Sequence, residues 1–409
     1  MIQSITYKAV PVKNASLRFV KHAARRAVIH IGIDIGKNKL FVVARWMPSR
    51  TKQVVYENPW LVKNPDEIPE LIRKFRSLVK QNKILIGLES TGTYGDLLRQ
   101  ALADAGFTVH QLRAKVTHDY AEIFDGVPSQ HDGKDAAVIA ELLAQGKSTP
   151  WSFSVPTEIE AEMKYLITQL IDSHQTNNRL LGKLEGLVAR YWPELTQHML
   201  LSSKTLLKLL KHYGGPAGFR VDRDAKTVMG KFSSWQFSQE KSQKIIDLIR
   251  KSNGVRQTDW DVQYVKEIAT KMLNEHQLVG KCKKRLKELT DISCNELQRL
   301  AKVLGVGTAS VIWCNIGDPG RYHSADAWIK AMGLNLTERS SGEYQSEMHI
   351  SKRGDSETRR WLYMSTLRWT QKEPVKQWYL RKKQRTGKKI PGQDDKRTGG
   401  KAVVAVMRN

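Results

Sequence analysis

Two short apolar runs, each carrying one carboxylate, constrain this chain more than any other feature. The first is Ile29-His30-Ile31-Gly32-Ile33-Asp34-Ile35 and the second is Ile84-Leu85-Ile86-Gly87-Leu88-Glu89. Runs of this length without polar alternation read as strands buried on both faces of a sheet. Asp34 and Glu89 therefore mark sheet ends. Asp132 and Asp135 are three apart at the head of a helical stretch, so both can face one side of it. Four carboxylates delivered to one place make an oxygen-only ligand set suited to magnesium. A pair of such ions suits phosphoryl transfer on nucleic acid. A single acid closing a strand is commonly a solvated strand end; the four in this order carry the reading.

The surrounding pattern places both runs in one sheet. Strands are expected at 28–35, 40–46 and 53–57, close enough for hairpin connections. A helix follows near 67–80, then the Glu89 strand, a helix at 94–105, a strand at 107–111 and a last helix over 136–143. Antiparallel strands followed by alternating helix and strand imply a mixed α/β sheet with helices on its faces. That order is the ribonuclease-H-like topology, with its boundaries at 28–150.

At 409 residues two or three domains are expected. The formal net charge of +26 points to a polyanionic partner. Membrane lipid is one such partner, but no apolar run approaches the ~20 residues that span a bilayer, which leaves nucleic acid. Cys282, Cys294 and Cys314 have neither metal-type spacing nor an even count, and read as buried free thiols of a reducing cytoplasm. Residues 1–27 hold Lys8, Lys13, Arg18, Lys21, Arg25 and Arg26, and the first acid is Asp34. Such a leader imitates a transit peptide, and suits equally a disordered basic arm lying on phosphate; the arm is the expectation.

The stretch 151–296 carries two helical stripes. Thr157 and Glu160 form a capping-box pattern, and apolar residues recur at Ile159, Met163, Leu166, Leu170, Leu184, Leu187 and Tyr191. A second stripe runs Val262, Val265, Ala269, Met272, Val279, Cys282, Leu286 and Leu289. Polar breaks at His174/Asn177 and His276 would meet if the helices paired as an antiparallel coiled coil; two ordinary bundle helices remain the alternative. A small helical insertion is expected at about 200–258.

From about 297 the chain changes character. Leu304-Gly305-Val306-Gly307 resembles a helix-hairpin-helix turn whose glycines admit a phosphate. Residues 321–409 hold 20 Lys+Arg against 9 Asp+Glu. Within them Arg381, Lys382, Lys383, Arg385, Lys388 and Lys389 form a candidate phosphate-facing patch. Trp361, Trp369, Trp378 and Tyr379 interleave with these cations, although core packing is the expected task of Trp361 and Trp369. Ser340-Ser341-Gly342 reads as a loop from which a serine hydroxyl can project. Lys352, Arg353, Arg359 and Arg360 follow closely enough to neutralise a phosphate.

In combination these stretches resemble the DEDD transposases of insertion sequences, the group that includes the pilin-gene inversion recombinases. The matching residues are Gly32-Ile33-Asp34-Ile35, Leu88-Glu89-Ser90-Thr91-Gly92, Asp132-Gly133-Lys134-Asp135-Ala136, Ile316-Gly317-Asp318, Gly333-Leu334, Ser340-Ser341-Gly342 and Ile350-Ser351-Lys352-Arg353-Gly354. The resemblance implies a RuvC-like N-terminal domain with Asp34, Glu89, Asp132 and Asp135 as metal ligands, for Mg2+ or Mn2+. It implies a coiled coil and a mainly α-helical C-terminal transposase domain over 297–409. The family's serine nucleophile falls on Ser341, which directly precedes glycine, or on Ser340. It further implies RNA-guided cleavage and exchange of donor and target DNA through a phosphoserine link. A structured non-coding bridge RNA, a tetramer built from dimers and a bacterial, nucleoid-associated cytoplasmic location complete the expectation. Three features depart from the family pattern: Asn335-Leu336 stands where proline is usual after Gly-Leu, the basic leader has no clear counterpart, and the sequence stops at Val406-Met407-Arg408-Asn409 where relatives often continue a helix.

Three other readings compete. A RuvC-like nuclease would use the same acids with water as nucleophile. An actin-like ATPase or sugar kinase shares the Gly32-Ile33-Asp34-Ile35-Gly36 pattern but needs a duplicated half. In a non-catalytic nucleic-acid binder the acids merely end strands.

Overall fold

The computed structural model describes residues 8–408, apart from 26, 49–52, 79–82, 90–91, 130, 152, 154, 233–242, 244–245, 250, 339, 342–343, 346–347 and 387–395. Two compact units divide the chain, Met1–Val155 and Pro156–Asn409.

The first unit is built on a mixed sheet. Its leader supplies β1 (Val10–Pro11) and helix α1 (Arg18–Ala24). The central strands are β2 (Ile29–Ile35), β3 (Lys39–Trp46), β5 (Trp60–Lys63), β6 (Ile84–Glu89) and β7 (Thr108–Leu112); β4 (Val55–Tyr56) and β8 (Thr149–Pro150) are two-residue additions. The order is β1-β5-β3-β2-β6-β7-β8, with β4 on β3. Strands β5, β3 and β2 are antiparallel neighbours, whereas β6 runs parallel to β2 and β7 parallel to β6. The helices are α2 (Ile68–Ser77), α3 (Asp96–Asp104), α4 (Ala114–Asp125) and α5 (Asp132–Ala144).

Residue alternation divides the sheet into two layers. Ile29, Ile31, Ile33, Ile84, Ile86 and Leu88 pack with Leu71, Phe75, Leu98 and Leu102 of α2 and α3. The other core joins Val43 and Leu112 to Ala121 and Phe124 of α4 and Ala136, Ile139 and Leu142 of α5.

Three expectations change here. The third long strand is β5, not 53–57: Trp60 and Val62 are buried in alternation, and only Val55–Tyr56 of the expected segment pairs. Helix α4 was not anticipated, although Thr117, Ala121 and Phe124 recur at helical spacing and Gly126, at φ 72°, ends it. The leader is not a disordered arm over its described part. Val12, Val20, Ala23 and Ala24 are buried in the first core, and β1 pairs with β5. Its apolar residues find a partner in the sheet, which outweighs repulsion among its cations.

The second unit is helical. Helices α6 (Glu158–Tyr191) and α11 (Asp259–Asp291) are followed along the chain by shorter elements, with α7 (Pro193–His198), α8 (Lys204–Tyr213), α9 (Pro216–Val221) and α10 (Ala225–Phe232) between them. Full capping boxes start both long helices, Thr157 with Glu160 and Thr258 with Asp261. Glu162 pairs with Arg285, the Ser173 hydroxyl donates to Glu275 and the Tyr191 hydroxyl donates to Asp261. Positions rise on one helix as they fall on the other, so the pair is antiparallel. The polar breaks do meet: the His174 imidazole is held below its usual pKa by burial and by the charges of Lys283, Arg360 and His276.

Beyond this pair lie α12 (Asn295–Leu304), α13 (Val306–Asn315) and α14 (Ala325–Ala331). A hairpin follows, in which β9 (Leu336–Thr337) pairs with β12 (His349–Ile350) and β10 (Ser340–Ser341) with β11 (Tyr344–Gln345). Helices α15 (Ser356–Trp369), α16 (Val375–Thr386) and α17 (Lys396–Arg408) complete the unit. The duplicated α/β half that a sugar kinase requires is absent among the described residues. No described helix is long and apolar enough to cross a membrane.

Candidate active site

Two facing glycines bring the acids together. Gly32 of β2 lies in register with Gly87 of β6, and both sit beneath α5. A methyl group on Gly32 would overlap the Ala136 carbonyl and crowd the Ala140 amide. On Gly87 it would stand 2.9 Å from Leu112 Cδ1 and 3.1 Å from Ile139 Cγ2. The missing side chains let the helix backbone settle directly on the sheet. Asp34 and Glu89 each lie two residues past a glycine, so both share its face. Helix α5 begins with Asp132 and Asp135 in its first turn, where the helix N-terminus favours negative charge.

The charges record this convergence. The Asp34 carboxyl is pushed up to about 7 by burial and then by the charges of Asp135, Asp132 and Glu89. Burial, Asp132 and Glu89 also raise Asp135, against the opposing pull of His131 and Lys134. Glu89 is oriented by Thr117 of α4, whose hydroxyl donates to its Oε2 at 2.5 Å. Among the described residues no three of these side chains close into a ready-made metal cage. The acids form a charge cluster rather than a finished coordination shell. An all-oxygen donor set in which Asp34 and Asp135 hold their protons more tightly nonetheless has the chemistry that a hard divalent cation neutralises.

Sequence reasoning passed over two residues that support the cluster. Lys134 is fully buried, with Nζ 2.6 Å from Asp125 Oδ1, 2.6 Å from the Val127 carbonyl and 3.0 Å from the Ser129 carbonyl. It ties down the turn that delivers Asp132, while His131 Nδ1 accepts from the Lys134 amide as the N-cap. A lysine between two aspartates at a helix start was the available signal. Thr117 had none, because α4 itself was not foreseen. Farther along α5, Glu141 accepts from Arg45 Nε at 2.8 Å and from the Tyr56 hydroxyl at 2.5 Å, pinning the far end of the helix to β3 and β4.

The other candidates belong to the second unit. Ser340 and Ser341 lie on β10, a strand rather than a loop, with Ser341 paired to Tyr344 across the hairpin end. Gly342, Lys388 and Lys389 are outside the described residues, as is the side chain of Arg385. The segment after the hairpin is locked onto the end of α14. Lys352 holds φ 55°, its amide donates to the Gly333 carbonyl, and a methyl on Gly354 would strike the Ala331 carbonyl. Arg359 donates from one nitrogen to the Met332 and Gly354 carbonyls at 3.0 and 2.8 Å, and Arg360 pairs with Glu357. Arg359 thus clasps the turn, while Lys352 and Arg353 remain exposed beside it.

Arg381 and Lys383 are exposed on α16, and Lys382 lies 5.2 Å from the Trp378 ring. Trp361 packs against Gly307 and His174, and Trp369 Nε1 donates to the Val303 carbonyl. Gly307 thus faces a tryptophan inside α13, and the expected phosphate-binding turn reduces to a one-residue joint at Gly305, φ 83°.

Comparison with known proteins bears on both units. A DEDD transposase family model of IS110 type matches residues 31–193, and the model described as transposase IS116/IS110/IS902 family matches residues 297–381. The insertion element IS110 uncharacterized 43.6 kDa protein of Streptomyces coelicolor is 24% identical over 335 residues, covering 79% of this chain and 81% of that protein. Thermus thermophilus RuvC, solved alone and with a Holliday junction substrate, aligns at 13% identity over 30% of this chain and 99% of RuvC, with a TM-score of 0.23. That score leaves the fold to be read from the strand order alone. The two transposase models together span more than half of the sequence, and the chain belongs to the IS110 family of transposases.

Proposed function

We propose that this transposase acts as an RNA-guided DNA recombinase, with a RuvC-like carboxylate site in its first unit and a serine nucleophile in its second. The elevation of Asp34 and Asp135 by burial and then by their acidic neighbours carries the proposal, because it marks four carboxylates as one electrostatic site. Asp34, Glu89, Asp132 and Asp135 would hold Mg2+, or Mn2+, whose bound form supplies Lewis-acid activation of the scissile phosphate. Thr117 sets the rotamer of Glu89, and Lys134 fixes the helix start that presents the other two acids.

In the proposed reaction the Ser341 hydroxyl attacks phosphorus, with Ser340 as the fallback. The Oγ–P bond forms as the P–O3′ bond breaks, and the serine proton passes through solvent to the departing 3′ oxygen. A 3′ hydroxyl of the partner DNA then displaces serine, so bond energy is conserved without ATP. Guide pairing, rather than base-reading side chains, would select donor and target. The net charge of +26 and the exposed cations of α16 support backbone contact with both nucleic acids. The antiparallel pair α6/α11 is read as the coiled coil through which dimers assemble into a tetramer.

Two measurements test this. Expression with native flanking DNA, a high-salt wash and sequencing of retained RNA should return one discrete structured species; heterogeneous RNA would remove the guide. A denaturing gel after reaction with labelled DNA should show a protein–DNA adduct that Ser341→Ala and Ser340→Ala assign between them. Cutting without an adduct would make the protein a water-using nuclease.

A further inference from the structure

We propose that the folded leader is a docking surface for single-stranded nucleic acid on the sheet layer opposite the carboxylates. The proposal extends the reading above only in taking nucleic acid as the class of partner. The surface lies outside both segments that match the transposase models, which begin at residue 31.

Its inner side is anchored. Val12, Val20, Ala23 and Ala24 are buried among Ile29, Ile31 and the α2 side chains, and β1 extends the sheet beside β5. Lys74 donates to the Ala15 carbonyl at 2.9 Å and Lys83 to the Arg25 carbonyl at 3.2 Å, so the leader backbone is held at both ends of α1. Lys13 is neutralised by Glu67 at 3.3 Å.

Its outer side is not neutralised. Arg18, Lys21 and Arg25, spaced to share one face of α1, are exposed, and among the described residues their side chains have no hydrogen-bond or ion-pair partner. Phe19, next to Arg18 and about 100° further round the helix, flanks that face at 67% exposure. No acidic residue precedes Asp34 to compete for these cations. One exposed phenylalanine is unremarkable by itself. Beside a fixed triad of cations it supplies the ring in the pattern by which single strands are held, with phosphates tracked by charge and an unpaired base stacked at the edge of the charged face. A duplex keeps its bases stacked and leaves the ring without a partner. Because α1 belongs to the Ile29/Ile31 layer, whereas Asp34 and Glu89 face α5, the strand held here is not the one being cut.

The test uses the full chain, a labelled unstructured single-stranded DNA and its duplex, with anisotropy read across a salt series. Removing three phosphate contacts in Arg18→Gln/Lys21→Gln/Arg25→Gln should reduce the slope of log K against log salt by about 2. Phe19→Ala should weaken single-strand binding by roughly tenfold and leave duplex binding unchanged. Both variants should keep the wild-type melting temperature. An unchanged slope, equal losses on both DNA forms, or a fall in melting temperature overturns the surface. So does retained DNA binding with lost binding to phosphatidylserine vesicles, which would assign the face to a membrane. Asp34→Asn separates the two readings, since it should abolish cleavage and keep this binding. Cleavage surviving in Asp34→Asn would remove the carboxylate site and leave the docking surface standing.

Discussion

Asp34 and His30 sit four positions apart on β2 and are shifted in opposite directions. The folded Asp34 carboxyl keeps its proton up to about 7, whereas the unfolded one releases it near 3.8. Across that window the folded state holds the extra proton, so stability falls as pH rises and the penalty is complete above about 7. His30 is pulled down from 6.5 to about 4 by burial and then by Arg45, with Glu141 opposing and His110 adding to the fall. The unfolded state holds that proton between about 4 and 6.5, so this contribution rises with pH. Each is worth on the order of 2 kcal/mol after allowance for solvent screening. Urea titrations at pH 4.5 and 7.5 should show a nearly flat wild type, with Asp34→Asn gaining stability toward neutral pH and His30→Gln losing it. Parallel slopes in the two variants would contradict the assignment. Millimolar Mg2+ at pH 8 should raise the wild-type melting temperature and leave Asp34→Asn unmoved; equal shifts would mean that the ion binds elsewhere. Asp34 and Glu89 were legible in the sequence because each interrupts or closes an apolar run. The opposing histidine was not, because its shift depends on burial and then on Arg45, which arrives from another strand.

At the scale of elements, α5 does two tasks: it covers the sheet and carries half of the acids. Gly32→Ala should therefore cost about 3 kcal/mol and abolish DNA cleavage, since the methyl meets backbone that cannot turn aside. Gly186→Ala, exposed within α6 with nothing near its added carbon, should instead stabilise by about 0.5–1 kcal/mol. Chemical denaturation of both variants reads the contrast, and similar effects would refute the close-packing account. Lys134→Met should cost about 3 kcal/mol by removing the buried ammonium that Asp125 and the Val127 and Ser129 carbonyls share, and should slow cleavage while nucleic-acid binding persists. Binding lost in step with cleavage would make Lys134 a purely structural residue. The strand–helix order of the sheet could be read from periodicity, and so could both long helices and the Thr157 cap. What escaped was decided by tertiary contact. The 53–57 segment had strand-like composition but lost the sheet position to Trp60 and Val62, and the leader was recruited by apolar residues hidden among its charges.

At the scale of the molecule, the division at Val155–Pro156 makes each unit a candidate for independent folding. Residues 1–155 expressed alone should melt cooperatively and keep the Mg2+ response, because every candidate metal ligand and both supporting residues lie within them. A non-cooperative melt would show that the first unit depends on the second. The Gly32–Gly87 floor beneath α5 also bears on how such an enzyme is restrained in its host. Helix and sheet cannot part without dissolving the hydrophobic interior, so no resting form exists in which the chain is folded and its acids are dispersed. Any copy that survives proteolytic surveillance therefore keeps its acids gathered. Restraint on its mobility must then come from outside the sheet, and a mutation that tames the element by prising α5 from its floor will tend to erase the protein.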